Sequence, residues 1–498
     1  MAESLKVTTA RGLLWGGLNS SMQQLLGVLF GIVLGRLLIP EDYGMIAMIS
    51  IFSLIANDLQ NSGFRVALTN LRQPTANDYS SVFWTNILIG AVLYVVLYTA
   101  APLIAAFYHE PRLTALARYA FLGFVFASFG TAQSAYLFKN LKAKQQAKAS
   151  MTAILLSSTI GVMMAWKGFS YWALATQTNL YILTCTLLYW HFSDWRPSFV
   201  INFEPAKRMF RFSCKLLASS IITDINNSML NILLGRFYTT HDAGNYNQAY
   251  LWNNKASYLI QGMMAQVAQP VMVDVQDERE RQLRILRKMI RFASFVAFPL
   301  LFGFALVSKE FIVLAIGEKW MESARLLQIL CLGGAFAPLS VVLYNVLLSK
   351  GKSTTYMWCN ITQCVILLTL MLVLHPYGIR PIVIAFTSVS IAWSLVWWAS
   401  IRLLTGYRFI YLLKDVFPFT IIAAAVMVVT WLLTSPLHSL WLLLLVRIAI
   451  AALFYLGIMK LARVKILDEC IRFITGSAKT IRSNNFAHSP KHHEEVDR

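Results

Sequence analysis

Leu34-Gly35-Arg36-Leu37-Leu38-Ile39-Pro40-Glu41-Asp42-Tyr43-Gly44 closes one apolar run, turns, and opens the next. Its fixed points return 200 residues later as Leu234-Gly235-Arg236, followed by Asp242 and Gly244. Each copy sits between two apolar runs, so the recurrence marks an internal duplication and not a chance tripeptide. Farther along, Phe107-Tyr108-His109-Glu110 and Ile316-Gly317-Glu318-Lys319 take equivalent connectors in the two halves.

The runs on either side of these turns are too apolar for a soluble fold. Of the 498 residues 57% are hydrophobic and only 13% charged, against roughly 25% charged in a soluble domain. Apolar stretches of about 18 residues or more read as membrane helices. Fourteen are expected, at about 13–35, 44–64, 81–106, 113–138, 149–166, 169–190, 212–234, 244–268, 292–308, 324–348, 355–374, 382–401, 416–434 and 440–462. The fold class is therefore an all-α polytopic membrane protein: two pseudo-symmetric six-helix bundles plus two extra C-terminal helices. The lobes cover 1–200 and 201–404, the extra helices 405–463, and a basic tail 464–498. Six spans separate the duplicated turns, an even number, so the halves have parallel topology. Parallel repeats about an axis along the membrane normal form a transporter architecture with the substrate path at their interface.

The net charge of +20 does not point to nucleic acid, because the basic residues sit in short connectors and not on one face. With the N-terminus inside, 31 of the 43 Lys and Arg fall on the cytoplasmic side and 8 on the other. That bias is expected to place both termini in the cytoplasm. The first apolar run is too long for a signal-peptide core, lacks a small-residue cleavage site, and is kept as a helix.

No CxxC or Cys/His cluster occurs, so neither a disulfide framework nor a metal site is expected. Gly351-Lys352-Ser353 resembles the end of a Walker A loop, but Val346 stands where its first glycine belongs. His488, His492 and His493 read as part of a solvated tail. The short connectors leave no room for a catalytic domain, so no catalytic residue and no cofactor is assigned.

Polar groups inside a bilayer usually face a cavity or one another. They gather here in spans one (Asn19, Gln23), two (Asn57, Asp58), seven (Asp224, Asn227) and eight (Asn253, Lys255), the first two helices of each repeat. These spans are expected to line a wet central cleft; the plain alternative is interhelical hydrogen bonding alone, at about 0.6–2 kcal/mol a pair. Asp224 and Lys255 lie equally far from their turn, so an ion pair is geometrically available. It would either fix the hairpin or make a cationic spot for a phosphate group. Asp58 has no cation mirrored in its own hairpin, which makes it, with Asp224, a candidate for ion coupling. Arg118 and Arg447 are further cationic candidates by depth, although Arg118 can also snorkel to headgroups. Gly27, Gly31 and Gly35, four residues apart, read as a packing stripe.

The stretch from Gly35 to Gly44 is similar to the signature after the first helix of Wzx-type polysaccharide flippases, members of the multidrug/oligosaccharidyl-lipid/polysaccharide exporter superfamily. Gly317-Glu318-Lys319-Trp320 with Leu326-Leu327-Gln328-Ile329-Leu330 resembles the late outer loop of that family, the colanic-acid-type exporters above all. The resemblance spans roughly residues 10–460. It implies a V-shaped cleft between the bundles and rocking between inward- and outward-open states. It also implies outward movement of an undecaprenyl-pyrophosphate-linked oligosaccharide for exopolysaccharide or lipopolysaccharide synthesis. Cationic cavity residues would hold the pyrophosphate, and a proton or sodium gradient would reset the cycle. A polysaccharide polymerase and a chain-length regulator are the implied partners. Amides such as Asn19, Gln23, Asn57, Asn227 and Asn253 suit sugar hydroxyls, since they donate and accept. A drug or cation antiporter of the same superfamily, a peptidoglycan-precursor flippase and a membrane enzyme of polysaccharide assembly stay open as alternatives.

Overall fold

A computed structural model describes residues 2–61, 68, 71, 74–199, 203–275, 277–464 and 466–469. Arg65, Arg72 and the tail histidines lie outside the described residues. Among the described residues the chain is overwhelmingly helical and contains no strand. The helices of the first half are α1 (Ala2–Leu37), α2 (Pro40–Asn61), α3 (Ala76–Tyr108), α4 (Leu113–Ala120), α5 (Leu122–Ser128), α6 (Thr131–Lys139), α7 (Ala143–Trp166) and α8 (Tyr171–Phe192). There follow α9 (Glu204–Phe237), α10 (Thr240–Asp274), α11 (Arg279–Leu306), α12 (Ser308–Ile316), α13 (Met321–Gly334) and α14 (Ala337–Ser349). The chain continues as α15 (Ser353–Leu374), α16 (Ile379–Thr405), α17 (Phe409–Thr434) and α18 (Leu440–Leu461).

Ten of these segments, counting 318–349 as one, are long and apolar enough to cross a membrane, or eleven if the bent run 113–139 is one span. The count of fourteen is not reached on that measure, because α8, α9 and α10 carry polar groups such as Gln177, Asp224 and Lys255. Large apolar side chains stand on the outside of the helices, among them Leu103, Leu445 and Leu453. Water would penalise such a surface at about 25 cal/mol per Å², whereas lipid does not. The protein is a multi-pass membrane protein.

Several helices outrun their apolar cores. α11 begins at Arg279, well before the expected 292, because Arg279-Glu280-Arg281-Gln282-Leu283-Arg284 are all good helix formers. The polar connectors expected at 191–211 and 269–291 are shortened by the helices beside them: α8 ends at Phe192 and α9 opens at Glu204, α10 ends at Asp274 and α11 opens at Arg279. The connector expected at 309–323 contains a helix, α12, and a short 3-10 turn at Glu318–Trp320.

The fourth expected span is broken: 113–128 and 131–139 meet at 44°. The break works because side chains from neighbouring helices take the carbonyls it releases. Gln60 donates to Phe124 O (2.8 Å), Asn179 to Tyr119 O (2.8 Å), Thr186 to Phe126 O (3.0 Å) and Trp190 to Phe129 O (2.7 Å). Gly130 sits at the corner, where a Cβ would stand 2.7 Å from the Thr186 hydroxyl. Broken membrane helices are tolerated only where neighbours satisfy the backbone in this way.

The chain forms two compact units. The first holds 1–256, 308–333 and 352–396; the second holds 257–307, 334–351 and 397–498. In the first, α1 lies along α7, α7 along α8, and α9 packs on α2, α3 and α15. In the second, α11 packs against α17, α14 and α18.

Candidate functional site

The site is built within the first unit, where the two duplicated turns meet. Each turn is capped by its own aspartate. Asp42 accepts from the Ile39 amide (3.0 Å) and, through its other oxygen, from the Ser170 hydroxyl. Asp242 accepts from the Thr239 hydroxyl (2.8 Å), while Thr239 Oγ1 accepts from the Asp242 amide (3.1 Å), a reciprocal cap. The helix starts so fixed are then pressed together. A Cβ on Gly44 would lie 1.9 Å from Thr240 O, and one on Gly244 would lie 1.7 Å from Pro40 O. Residues 40 and 44 thus meet 240 and 244 in exchange, the signature of a two-fold relation between the copies. Glu41 and His241, again equivalent positions, join at 2.9 Å.

The arginines of the repeat cross over in the same fashion. Arg36 donates to Leu314 O (2.6 Å) and Ala315 O (2.7 Å) at the end of α12. Arg236 donates to Phe107 O (2.5 Å) at the end of α3 and contacts His109 Nδ1 (2.7 Å). Helix C-termini leave carbonyls without partners, and a guanidinium there completes the hydrogen bonding and opposes the dipole. In return, Lys319 donates to Arg36 O (2.7 Å) and Trp320 to Gly35 O (2.8 Å), with Trp320 edge-on to Tyr43. The two motifs that carry the family resemblance therefore interlock.

Below these turns stand the polar candidates. Lys255 does not reach Asp224 as the shared depth suggested. Its ammonium donates to Gly27 O (3.2 Å) and sits 4.4 Å from the Trp252 ring centroid. The reason is room on α1: at Gly31 a Cβ would already be 3.0 Å from Lys255 Nζ. A helix carbonyl and an aromatic face satisfy a cation without neutralising it. Asp224 makes no ion pair among the described residues and instead lies within Coulomb reach of Asp58. The two ion-coupling candidates are thus brought together, α2 against α9.

Asn19 and Gln23 bond one another along α1 (3.0 Å). Asn57 and Asn227 are exposed. Asn253 is buried, and its Oδ1 has no hydrogen-bond partner. Arg118 leans on Tyr98, 4.3 Å from the ring centroid, and joins none of the hairpin residues. Arg447 belongs to the second unit, where it is buried and ties Thr434 Oγ1 (3.0 Å) to Leu306 O (3.3 Å) at two helix ends.

One part of the site was not foreseen. A cavity of about 400 Å³ opens between Gly27 and Gly31 of α1, Ser157 and Ser158 of α7, and Gln177 and Thr178 of α8. Gln177 donates to Ser158 Oγ there (2.9 Å). The paired serines and the Gln-Thr-Asn run in mid-span were its signal in the sequence. The same two glycines meet Lys255, so this part of the stripe admits a cation and borders a cavity, while Gly35 packs as read, a Cβ there standing 2.6 Å from Ile316.

Comparisons with known proteins agree with this geometry. A family described as polysaccharide biosynthesis protein matches residues 33–325, more than half of the chain, with both copies of the turn included. Among curated relatives, the lipopolysaccharide biosynthesis protein WzxC of Escherichia coli (strain K12) is 25% identical over 355 residues, 70% of this chain and 71% of the relative. The teichuronic acid biosynthesis protein TuaB of Bacillus subtilis (strain 168) is 26% identical over 344 residues, 69% and 71% of the two chains. Among solved structures, the lipid II flippase MurJ in an inward closed conformation superposes with a TM-score of 0.72 at 14% identity, covering 93% of this chain and 99% of that one. An inward-facing multidrug resistance MATE family transporter gives 0.62 at 15% identity, covering 77% and 95%. At such identities the structural likeness concerns the fold. As the first turn implied, the chain belongs to the polysaccharide biosynthesis protein family.

Proposed function

We propose that this protein is a flippase, not an enzyme. It moves undecaprenyl-pyrophosphate-linked oligosaccharide repeat units from the cytoplasmic to the periplasmic leaflet of a bacterial inner membrane, with both its termini in the cytoplasm. The observation that carries the reading is the two-fold exchange of the duplicated turns, Gly44 on Thr240 and Gly244 on Pro40, in a chain of this family. Repeats so related give a transporter two equivalent half-gates on one side of the membrane. Family membership and the relatives in lipopolysaccharide and teichuronic acid synthesis favour a polyprenyl-linked sugar over a drug or small cation.

In this reading the lobes 1–200 and 201–404 rock about the hairpin helices, and 405–463 adds two further helices, α17 and α18, to the repeats. Lys255 is the cationic spot for the pyrophosphate: its ammonium faces a carbonyl and a ring in place of a carboxylate. Asn19, Gln23, Asn57, Asn227 and Asn253 supply adaptable bonds to sugar hydroxyls. Arg118 and Arg447, engaged elsewhere, serve packing. Asp58 and Asp224, within reach of one another, hold the coupling proton or cation. A polymerase and a chain-length regulator act on the delivered unit.

The test is a leaflet-sidedness assay in proteoliposomes loaded with a defined lipid-linked oligosaccharide. Wild-type protein should expose the sugar to an impermeant reagent. Lys255→Ala, reconstituted to the same level, should slow this at least about ten-fold, the loss expected when one charge-assisted contact to phosphate goes. Wild-type rates in Lys255→Ala would remove the lysine from the pathway, and no movement by the wild type would remove the flippase reading.

A further inference from the structure

We propose that the second unit carries a binding pocket for the phosphate headgroup of a resident anionic phospholipid, lined by none of the residues assigned to transport. A cavity of about 720 Å³ lies where three helices end or begin: Arg279 opens α11, Thr405 ends α16 and Phe409 opens α17. Its lining includes three arginines, Arg279, Arg402 and Arg408, against one acid, Glu280. All three are exposed, and none of the three forms an ion pair among the described residues.

The rest of the pocket is built to hold them there. Gly406 takes a φ of +72°, open to glycine at no cost, and a Cβ at that position would stand 3.4 Å from a guanidinium nitrogen of Arg279. Trp398 donates to Tyr407 O (2.9 Å), closing the α16–α17 turn, and Arg402 lies 5.7 Å from the Trp398 ring centroid. Beneath the floor, Asp415 is fully buried and receives Arg287 (2.8 and 3.0 Å), Arg291 (2.5 Å) and the Tyr407 hydroxyl (3.3 Å). That lone carboxylate meets two guanidinium groups, so the surroundings of the pocket stay cationic.

The occupant follows from position and chemistry. Thr405 and Phe409 end and open apolar helices, which sets the pocket at headgroup depth, and α11 reaches it with its charged first turn. Three unpaired guanidinium forks suit phosphate oxygens. Leu403 and Phe409, both lining the pocket and both exposed, continue it onto the apolar flank where acyl chains lie. Basic pockets between membrane helices at this level recognise anionic headgroups. A free anion would need the arginines and would gain nothing from the apolar flank.

Native mass spectrometry of the purified full chain in mild detergent tests this with phosphatidylglycerol as the probe. Phosphatidylglycerol should stay bound where phosphatidylcholine at the same concentration is lost, and millimolar inorganic phosphate should not displace it. Arg279→Gln combined with Arg402→Gln should weaken retention about ten-fold or more, whereas Arg325→Gln, on the other unit, should leave it unchanged. Because Arg279 and Arg408 are exposed and make no ion pair, the single Arg279→Gln and Arg408→Gln variants keep the test open if the double variant misfolds. Equal retention of both lipids, full retention in the variants, displacement by phosphate, or tighter binding of a polyprenyl pyrophosphate at these arginines would each overturn the assignment.

Discussion

Gly31 leaves Lys255 the space that its ammonium occupies, since a methyl there would stand 3.0 Å from Nζ. Replacing Gly31 with valine should therefore push the ammonium off the Gly27 carbonyl and slow oligosaccharide movement in proteoliposomes while the protein still folds. Gly44 is stricter. Its missing Cβ would overlap a backbone oxygen at 1.9 Å, so Gly44→Ala should cost about 1–3 kcal/mol, read as a lowered melting temperature in detergent. The depth of Lys255 was legible in the sequence from its distance to the turn; its partner was not. Depth orders residues along the membrane normal but leaves open which face of a helix they take, and that was decided by glycines on another helix. Arg447 shows the same limit. Its depth suited a cavity, yet the ends of two helices claimed its donors. Glu110 lies in a connector, and the Arg112 guanidinium bonded to it (2.7 Å) holds its carboxyl below the usual range, against a smaller opposing effect of burial. The stability it adds is present above the unfolded pKa of about 4.3 and lost as pH falls through the folded value. With Arg112 largely exposed the effect is under about 1 kcal/mol, to be seen as a small excess loss of melting temperature in wild type over Glu110→Gln below pH 4.

Among the elements, the broken run of α4, α5 and α6 depends on donors that lie far away in the chain. Gln60→Leu would leave Phe124 O without its partner, at about 1–3 kcal/mol, and hydrogen exchange at α5 should quicken before that elsewhere. The sequence shows an unbroken apolar stretch here, because the carbonyls that need partners are backbone atoms and leave no trace in composition. The extension of α11 was hidden for the opposite reason: its first turns are charged, and a search for apolar runs stops where a helix enters water. Asp415 binds the two units of charge on α11 to α17. Asp415→Asn should destabilise the fold by about 3 kcal/mol, the lower end for a broken buried pair because Arg291 is partly exposed. Thermal unfolding followed by tryptophan fluorescence measures it.

For the molecule as a whole, duplication was the most legible feature, since it is written as identical residues at one spacing. Its geometry could only be seen in three dimensions: Arg36 closes the end of α12 and Arg236 the end of α3, each from the opposite half. If these clamps hold one side of the transporter shut, Arg36→Ala with Arg236→Ala should raise the population open on that side. Labelling of a cysteine placed at Asn57 by an impermeant maleimide reports it, and unchanged labelling with intact folding would take the clamps out of the gating cycle.

The glycine-to-carbonyl exchange has a further consequence. A patch that is complementary to its own copy is what two identical subunits use to form an isologous dimer, and here both copies are threaded on one chain. A change in either ancestral half is consequently felt by its twin, so the tip of each hairpin must drift in concert with the other, while the lipid-facing flanks of the same helices remain free to diverge.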